Sequence, residues 1–273
     1  MSLSATAYAK INLCLHVTGK RADGYHLLDS IVAFADMGDR LTARKDASGG
    51  LRISGPFGEG LSVDSDNLVL RAAELAGARG YAIHLEKNLP VAAGIGGGSA
   101  DAAACLRMFG AAPDPATVLA LGADVPVCVA SQTVRMRGIG EDLTPLPELP
   151  PIWVVLVNAG QPVPTGAVFN ALALRDNSPL AELPEVFEDA TAVFRYLAAQ
   201  RNDLEAPARS LFPMIDVVLQ EIAVTKDCGL ARMSGSGGTC FGLYATKSAA
   251  ESAAGEISAK HPDWWVTSAA LRR

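Results

Sequence analysis

Residues 93–104 read AGIGGGSADAAA, with glycine at 94, 96, 97 and 98 and a serine at 99. Glycines let backbone N–H groups crowd onto an anion because no side chain blocks the approach. Ser99 stands where the loop turns into an alanine-rich helix. Its hydroxyl is placed to cap that helix or to meet a phosphate or a metal ion. The helix N-terminus adds partial positive charge. The chemistry on offer is therefore phosphate binding, although a glycine run alone also fits a tight, closely packed turn. Neither common nucleotide motif is completed. No lysine follows the glycines as in GxxxxGK[ST], and neither Gly94, Gly96, Ser99 nor Gly96, Gly98, Asp101 completes GxGxxG. Any side-chain cation for the phosphate has to come from elsewhere in the chain.

One source is the segment AYAKINLCLHV at 7–17. Its alternation places Ala9, Ile11, Leu13, Leu15 and Val17 on one face of a strand, with Lys10, Asn12, Cys14 and His16 on the other. Lys10 and Asn12 thus share a face, which is either solvated or turned toward a site. Asp124, in GADVP, reads on its own as a turn or helix-cap aspartate before Pro126. Phe169, in PTGAVFNAL, reads as a helix residue of the core. A second glycine cluster, GSGGT at 235–239, is by itself a hairpin-turn signal.

The elements that must carry these residues follow from periodicity. Strands are expected at 7–17, in the apolar run after the Asp23-Gly24 turn, on either side of Gly49-Gly50, over YAIHLEKNLP and stopped by Pro90, over VPVCVAS at 125–131, in TVRMRGIGEDLTPL, at IWVVLVNAG, on both sides of the 235–238 glycines, and at WWVTSAAL. Helices are expected in SDNLVLRAAELAGARG, with Leu68, Ala72, Leu75 and Ala76 inward, and from Ser99 to Phe109, closed by Gly110. Further helices are expected in DPATVLALGA, TGAVFNALA, LPEVFEDATAVFRYLAAQ, the 202–224 region broken by Pro207 and Pro213, and KSAAESAAGEISAKH. The proline-rich TPLPELPP segment marks a domain boundary, giving domains 1–148 and 149–273. The mixed order of strands and helices is that of a two-layer α+β (or α/β) fold.

Composition bounds the functions. A chain of 273 residues with 49% hydrophobic and 19% charged residues is globular. A net charge of −6 with no Lys/Arg cluster argues against a nucleic-acid footprint. No signal peptide is visible and the apolar runs are too short for a bilayer, so a soluble cytoplasmic protein with no membrane partner is expected. Five scattered cysteines and four histidines make no metal or redox spacing.

Taken in order, PxxxGIGGGSADAA, GADVP and SGSGGTCFG resemble the GHMP kinase superfamily, and AYAKINLCLHVTGKRADGYHLLDSI narrows the resemblance to members with a cytidyl substrate. The resemblance implies an N-terminal domain like the second domain of ribosomal protein S5, a ferredoxin-like C-terminal domain, and an active site in the cleft between them. It implies transfer of the γ-phosphoryl group of ATP, with Mg²⁺, to the 2-hydroxyl of 4-diphosphocytidyl-2-C-methyl-D-erythritol, a step of non-mevalonate isoprenoid synthesis. Under it, Lys10 and Asp124 are the catalytic pair. Gly94, Gly96, Gly97, Gly98 and Ser99 carry the ATP phosphates, and Asn67 and Lys87 lie near adenine. Asn12 touches the substrate, Tyr25 and His26 hold the cytosine ring, Phe169 lies on the ring's other side, and Thr165 lies beside the methylerythritol. Gly235, Ser236 and Gly237 line the substrate side. Asp101 brings a carboxylate to the helix's first turn, suited to the helix dipole or to Mg²⁺. No particular metal ligand is implied. Two other readings stand beside this one. The first is a homoserine- or mevalonate-type kinase, which has no use for the GKRADGYH clamp. The second is a non-catalytic nucleotide-binding module, which has no use for both Lys10 and Asp124.

Overall fold

The computed structural model describes residues 2–272. In chain order its strands and helices are β1 Ser2–Lys20, β2 His26–Lys45, β3 Leu51–Ser54, α1 Leu68–Leu75, β4 Tyr81–Glu86, α2 Gly97–Met108, α3 Pro115–Leu121, α4 Val125–Ala130, β5 Val134–Gly138, β6 Asp142–Pro145, β7 Trp153–Asn158, α5 Thr165–Asn170, α6 Ala190–Ala198, α7 Glu205–Leu211, α8 Met214–Ala223, β8 Leu230–Met233, β9 Thr239–Tyr244, α9 Lys247–Lys260 and β10 Trp265–Ala270. The chain divides into two compact units. The first runs from the N-terminus to Lys10 and takes in Met37–Val91 and Gly96–Ser131. The second comprises Ile11–Asp36, Ala92–Ile95 and everything from Gln132 onward. Strands β1 and β2 each give one segment to each unit.

In the first unit the second half of β2 pairs antiparallel with β4, and β4 pairs parallel with β3. The two strands flanking Gly49-Gly50 are therefore separated by β4 rather than joined as a hairpin. Helix α1 packs on α2, and α2 on α4. On α1 the inward residues are Val69, Ala72 and Ala73, while Leu75 is 42% exposed. The buried face is therefore shifted from the expected one: Ala72 is inward as expected, Val69 and Ala73 join it, and Leu75 lies outside it.

VPVCVAS forms helix α4, not the expected strand. Its β-branched run favours a strand locally. Pro126 falls in the first helical turn, where its missing N–H costs nothing. Packing on α2 buries Val125, Val127 and Cys128 and decides the outcome.

In the second unit the first half of β2 pairs antiparallel with β5, and β5 with β6. A four-stranded antiparallel sheet has the order β10-β7-β9-β8. Helices α8 and α9 cover it. The core combines Leu15, Val155, Val157, Ile222, Tyr244 and Ile257, all fully or almost fully buried. The glycine turn joins β8 and β9 as the expected hairpin. Two helical expectations shift. Helix α6 starts only at Ala190, capped by the Asp189 side chain. Pro207 lies in the first turn of α7 and does not break it, whereas Pro213 separates α7 from α8.

From Ala9 to Val17 every residue of β1 is buried, so the polar face of this strand is not solvated. Its polar side chains are buried with partners instead. Asn12 Nδ2 donates to Ser30 Oγ at 2.8 Å, and His16 Nδ1 lies 3.0 Å from the Ser178 carbonyl.

Candidate active site

Of the phosphate-type residues, Gly96, Gly97, Gly98 and Ser99 belong to the first unit with Lys10 and Asp124, and Gly94 to the second. Helix α2 begins at Gly97, with Gly96 as its N-cap in the left-handed region at φ 66°. A Cβ at Gly96 would lie 3.1 Å from Lys10 Cε, so glycine both permits the conformation and admits the lysine. No side chain caps α2. Ser99 is therefore the third helical residue and not the cap. The helix's own first hydrogen bond runs from Ala100 N to Gly96 O at 2.8 Å. The N–H groups of Gly97, Gly98 and Ser99 consequently have no acceptor within the helix and converge at its start.

Lys10 Nζ lies 3.1 Å from Asp124 Oδ2, the lysine side chain 5% exposed and the aspartate 37%. Asp124 precedes α4 in the N-cap position, yet its carboxylate makes no cap hydrogen bond and turns to Lys10. The strand fixes the ammonium and the helix start fixes the carboxylate. This pair can hold a hydroxyl's proton and a transferring phosphoryl group's charge together.

Asn67 caps α1, accepting from Val69 N at 2.9 Å and donating to Ser62 O at 2.7 Å. Lys87 is 3% exposed and pairs with two buried aspartates, Asp39 and Asp101. Its Nζ donates to Asp101 Oδ2 at 2.7 Å and to Asp39. Asp39 Oδ1 also accepts from Asn88 N at 2.5 Å and Leu89 N at 2.8 Å. Burial opposes the Lys87 charge, but Asp101 and Asp39 more than offset it and raise its pKa. Burial pushes Asp101 up to about 7, aided by Asp39 and opposed by Lys87. Asp101 lies in the second turn of α2, not the first, because the helix begins at Gly97. Its carboxylate faces Lys87 rather than the helix end. Asp39 had no signal in the sequence: it is an acidic residue within a strand, and only the fold brings it beneath Lys87.

The recognition-type residues belong to the second unit. The His26 and Phe169 rings stack with centroids 4.8 Å apart and 27° between planes. At that spacing no further ring fits between them, so a base would use the outer face of the stack. Tyr25 is 55% exposed on the turn that Arg21 N closes onto the Tyr25 carbonyl at 2.7 Å. His26 Nε2 is buried without a hydrogen-bond partner. Burial, then the charges of Lys20 and Arg175, lowers its pKa, so the imidazole is neutral at pH 7. A neutral ring with an unused nitrogen is suited to reading a base edge.

Thr165 Oγ1 and Ser236 Oγ lie 2.8 Å apart. The Gly235–Gly237 turn holds the segment that includes Gly94. Ser234 Oγ donates to Gly94 O at 3.0 Å, and Thr239 N donates to Ala93 O at 3.0 Å. Asn12, 1% exposed, joins this lattice through its backbone N–H to Ser234 Oγ at 3.2 Å. Asn202 Nδ2 anchors the turn through Met233 O at 2.8 Å and Gly235 O at 2.9 Å. Neither Ser234 nor Asn202 was legible as part of this arrangement.

A helix start open to phosphate, with a buried lysine ion-paired to a partly exposed aspartate beside it, is an arrangement suited to phosphoryl transfer. Residues 67–132 match the GHMP kinase N-terminal domain and residues 180–263 the GHMP kinase C-terminal domain. A 4-diphosphocytidyl-2-C-methyl-D-erythritol kinase of Dinoroseobacter shibae is 56% identical over 99% of this chain and 95% of its own. A crystal structure of a 4-(cytidine 5'-diphospho)-2C-methyl-D-erythritol kinase superposes with a TM-score of 0.78 at 35% identity, covering 99% of each chain. A homoserine kinase from Cytophaga hutchinsonii shares the fold, with a TM-score of 0.62 at 18% identity over 98% of this chain and 94% of that one. The chain belongs to the GHMP kinase family, among the 4-diphosphocytidyl-2-C-methyl-D-erythritol kinases. Among the described residues no helix is long and apolar enough to cross a membrane.

Proposed function

We propose that this chain transfers the γ-phosphoryl group of ATP to the 2-hydroxyl of 4-diphosphocytidyl-2-C-methyl-D-erythritol. The observation that carries the reading is the ion pair at 3.1 Å between buried Lys10 and partly exposed Asp124, in the unit that also presents the unsatisfied start of α2. The N–H groups of Gly97, Gly98 and Ser99 bind the phosphates. Lys10 stabilises charge on the transferred group, and Asp124 accepts or orients the proton of the attacking hydroxyl. Gly94 and Gly96 shape the loop, and Asn67 serves the adenine side; Lys87, expected there too, is buried against Asp39 and Asp101 instead. Tyr25 and the outer face of the His26–Phe169 stack take the cytosine, rather than the two rings holding it between them as expected. Asn12, Thr165 and the 235–237 turn serve the rest of the acceptor.

Among the described residues no three His, Cys, Asp or Glu side chains cluster as a metal cage. With ATP as co-substrate, Mg²⁺ would come in on the nucleotide and be held chiefly by phosphate oxygens. The Ser99 hydroxyl, on the third residue of α2, would be the side chain to meet it, and Mg²⁺ would supply neutralisation of phosphate charge.

A coupled ADP-release assay with the cytidyl compound, homoserine and mevalonate tests this reading. Turnover of the cytidyl compound alone is expected. Turnover of homoserine or mevalonate without it would replace this acceptor with theirs.

A further inference from the structure

Lys87 is tied to both flanks of the glycine loop. On the entry side, Asp39 holds Lys87 Nζ and also accepts the backbone N–H groups of Asn88 and Leu89. The Lys87 backbone is itself pinned, donating to Ser54 O at 2.8 Å and accepting from Phe57 N at 3.2 Å. On the exit side, Lys87 Nζ binds Asp101 Oδ2 at 2.7 Å, one turn into α2. The ammonium also lies 3.1 Å from where a Cβ on Gly97 would be, directly against the first residue of the helix. Lys87, Asp39 and Asp101 are each 3% exposed or less. Water has almost no access to this ammonium, and its hydrogen bonds run to protein carboxylates.

We infer that Lys87, Asp39 and Asp101 are positioning residues that hold the start of α2 at the height ATP requires, acting through the loop rather than on the nucleotide. The inference rests on the kinase reading in taking ATP as the ligand. It assigns Lys87 a support role in place of contact with adenine. A buried charged cluster suits this role because its geometry is fixed by short, directional bonds and a dry setting. A phosphate site loosened by a fraction of an ångström loses much of its binding.

The test exploits a conflict of sign. At pH 8.5, above the raised Asp101 value of about 7, Asp101→Asn removes a negative charge close to a phosphate site, so the electrostatic field alone predicts tighter ATP binding. Positioning predicts weaker binding, by about 10-fold. ATP affinity is measured directly at this pH, by displacement of a fluorescent ATP analogue, for the wild type, Asp101→Asn, Lys87→Met and the double variant. Both single variants should lose a similar factor, and the double variant should lose no more than the worse single one, since one device is broken once. The KM for the acceptor should move by less than about twofold, a split that general unfolding would not produce. Where Lys87→Met fails to fold, Asp101→Asn and Asp39→Asn carry the test. Wild-type or tighter ATP binding by Asp101→Asn overturns the inference, as do losses that add in the double variant. A wild-type chain that binds no ATP overturns the kinase reading and this inference together, whereas normal ATP binding with an unexpected acceptor leaves this inference standing.

Discussion

In the first unit the functional charges are hidden: Lys10 is 4% exposed and Lys87 3%, each against a carboxylate. In the second unit the recognition groups are open or unspent: Tyr25 is 55% exposed, and His26 Nε2 has no partner. The two tasks differ physically. Stabilising charge in a transition state needs dipoles and ions fixed before the substrate arrives, in a dry setting. Recognising a flat base needs an aromatic face from which only water must leave. Burial separates the two lysines from Tyr25, although Asp124, with a 37% exposed side chain, and Asn12, 1% exposed, each stand on the other side of that divide.

The contrast breaks most sharply at Asp124. Asp124→Asn keeps the shape but removes the charge that faces Lys10. It should lower kcat by at least ~10²-fold, the scale for one preorganised partner. Lys10→Ala should do the same. Circular dichroism should report an intact fold in both. Turnover near the wild type in both variants would mean that the reactive pair lies elsewhere.

A smaller loss is expected on the recognition side. Tyr25 is exposed and supports no core, so Tyr25→Ala should leave Tm unchanged. It should weaken acceptor binding by about 1–3 kcal/mol, the worth of one base-stacking contact. The effect should fall on the acceptor's KM and not on ATP's. An unchanged acceptor KM would remove Tyr25 from the clamp.

Legibility in the sequence followed the same division. The glycine loop, β1 and the β8–β9 hairpin were readable because turn chemistry and alternation are local. The orientation of Asp124 was not, since a cap aspartate and a catalytic one look alike until Lys10 is beside it. VPVCVAS misled because its β propensity was overridden by packing on α2. Asp39 and Asn202 were invisible for a different reason. Each acts on residues 30 or more positions away, through bonds that only the finished fold creates.

The comparison is sharpened by a residue that reverses it, a buried titratable group in the second unit. His16 is 1% exposed; its Nε2 accepts the Arg201 N–H at 2.9 Å, so the proton sits on Nδ1, facing the Ser178 carbonyl at 3.0 Å. Burial lowers its pKa, with the Arg201 charge acting the same way and Ser178, Asp203 and Asp29 opposing. An unfolded chain therefore takes up this proton at a higher pH than the folded one. The contribution is fully present above the ordinary value of 6.5 and is lost as the pH falls below it toward the lowered folded value. A protonated ring would set N–H against the Arg201 N–H. His16→Gln offers an oxygen and an N–H in similar places without the charge. At pH 7.5 it should cost within about 1 kcal/mol, the net worth of one hydrogen bond. Between pH 7 and 5 its Tm should fall less steeply than that of the wild type. Parallel curves would show that His16 stays neutral across that range and that the acid sensitivity of this unit arises from its carboxylates.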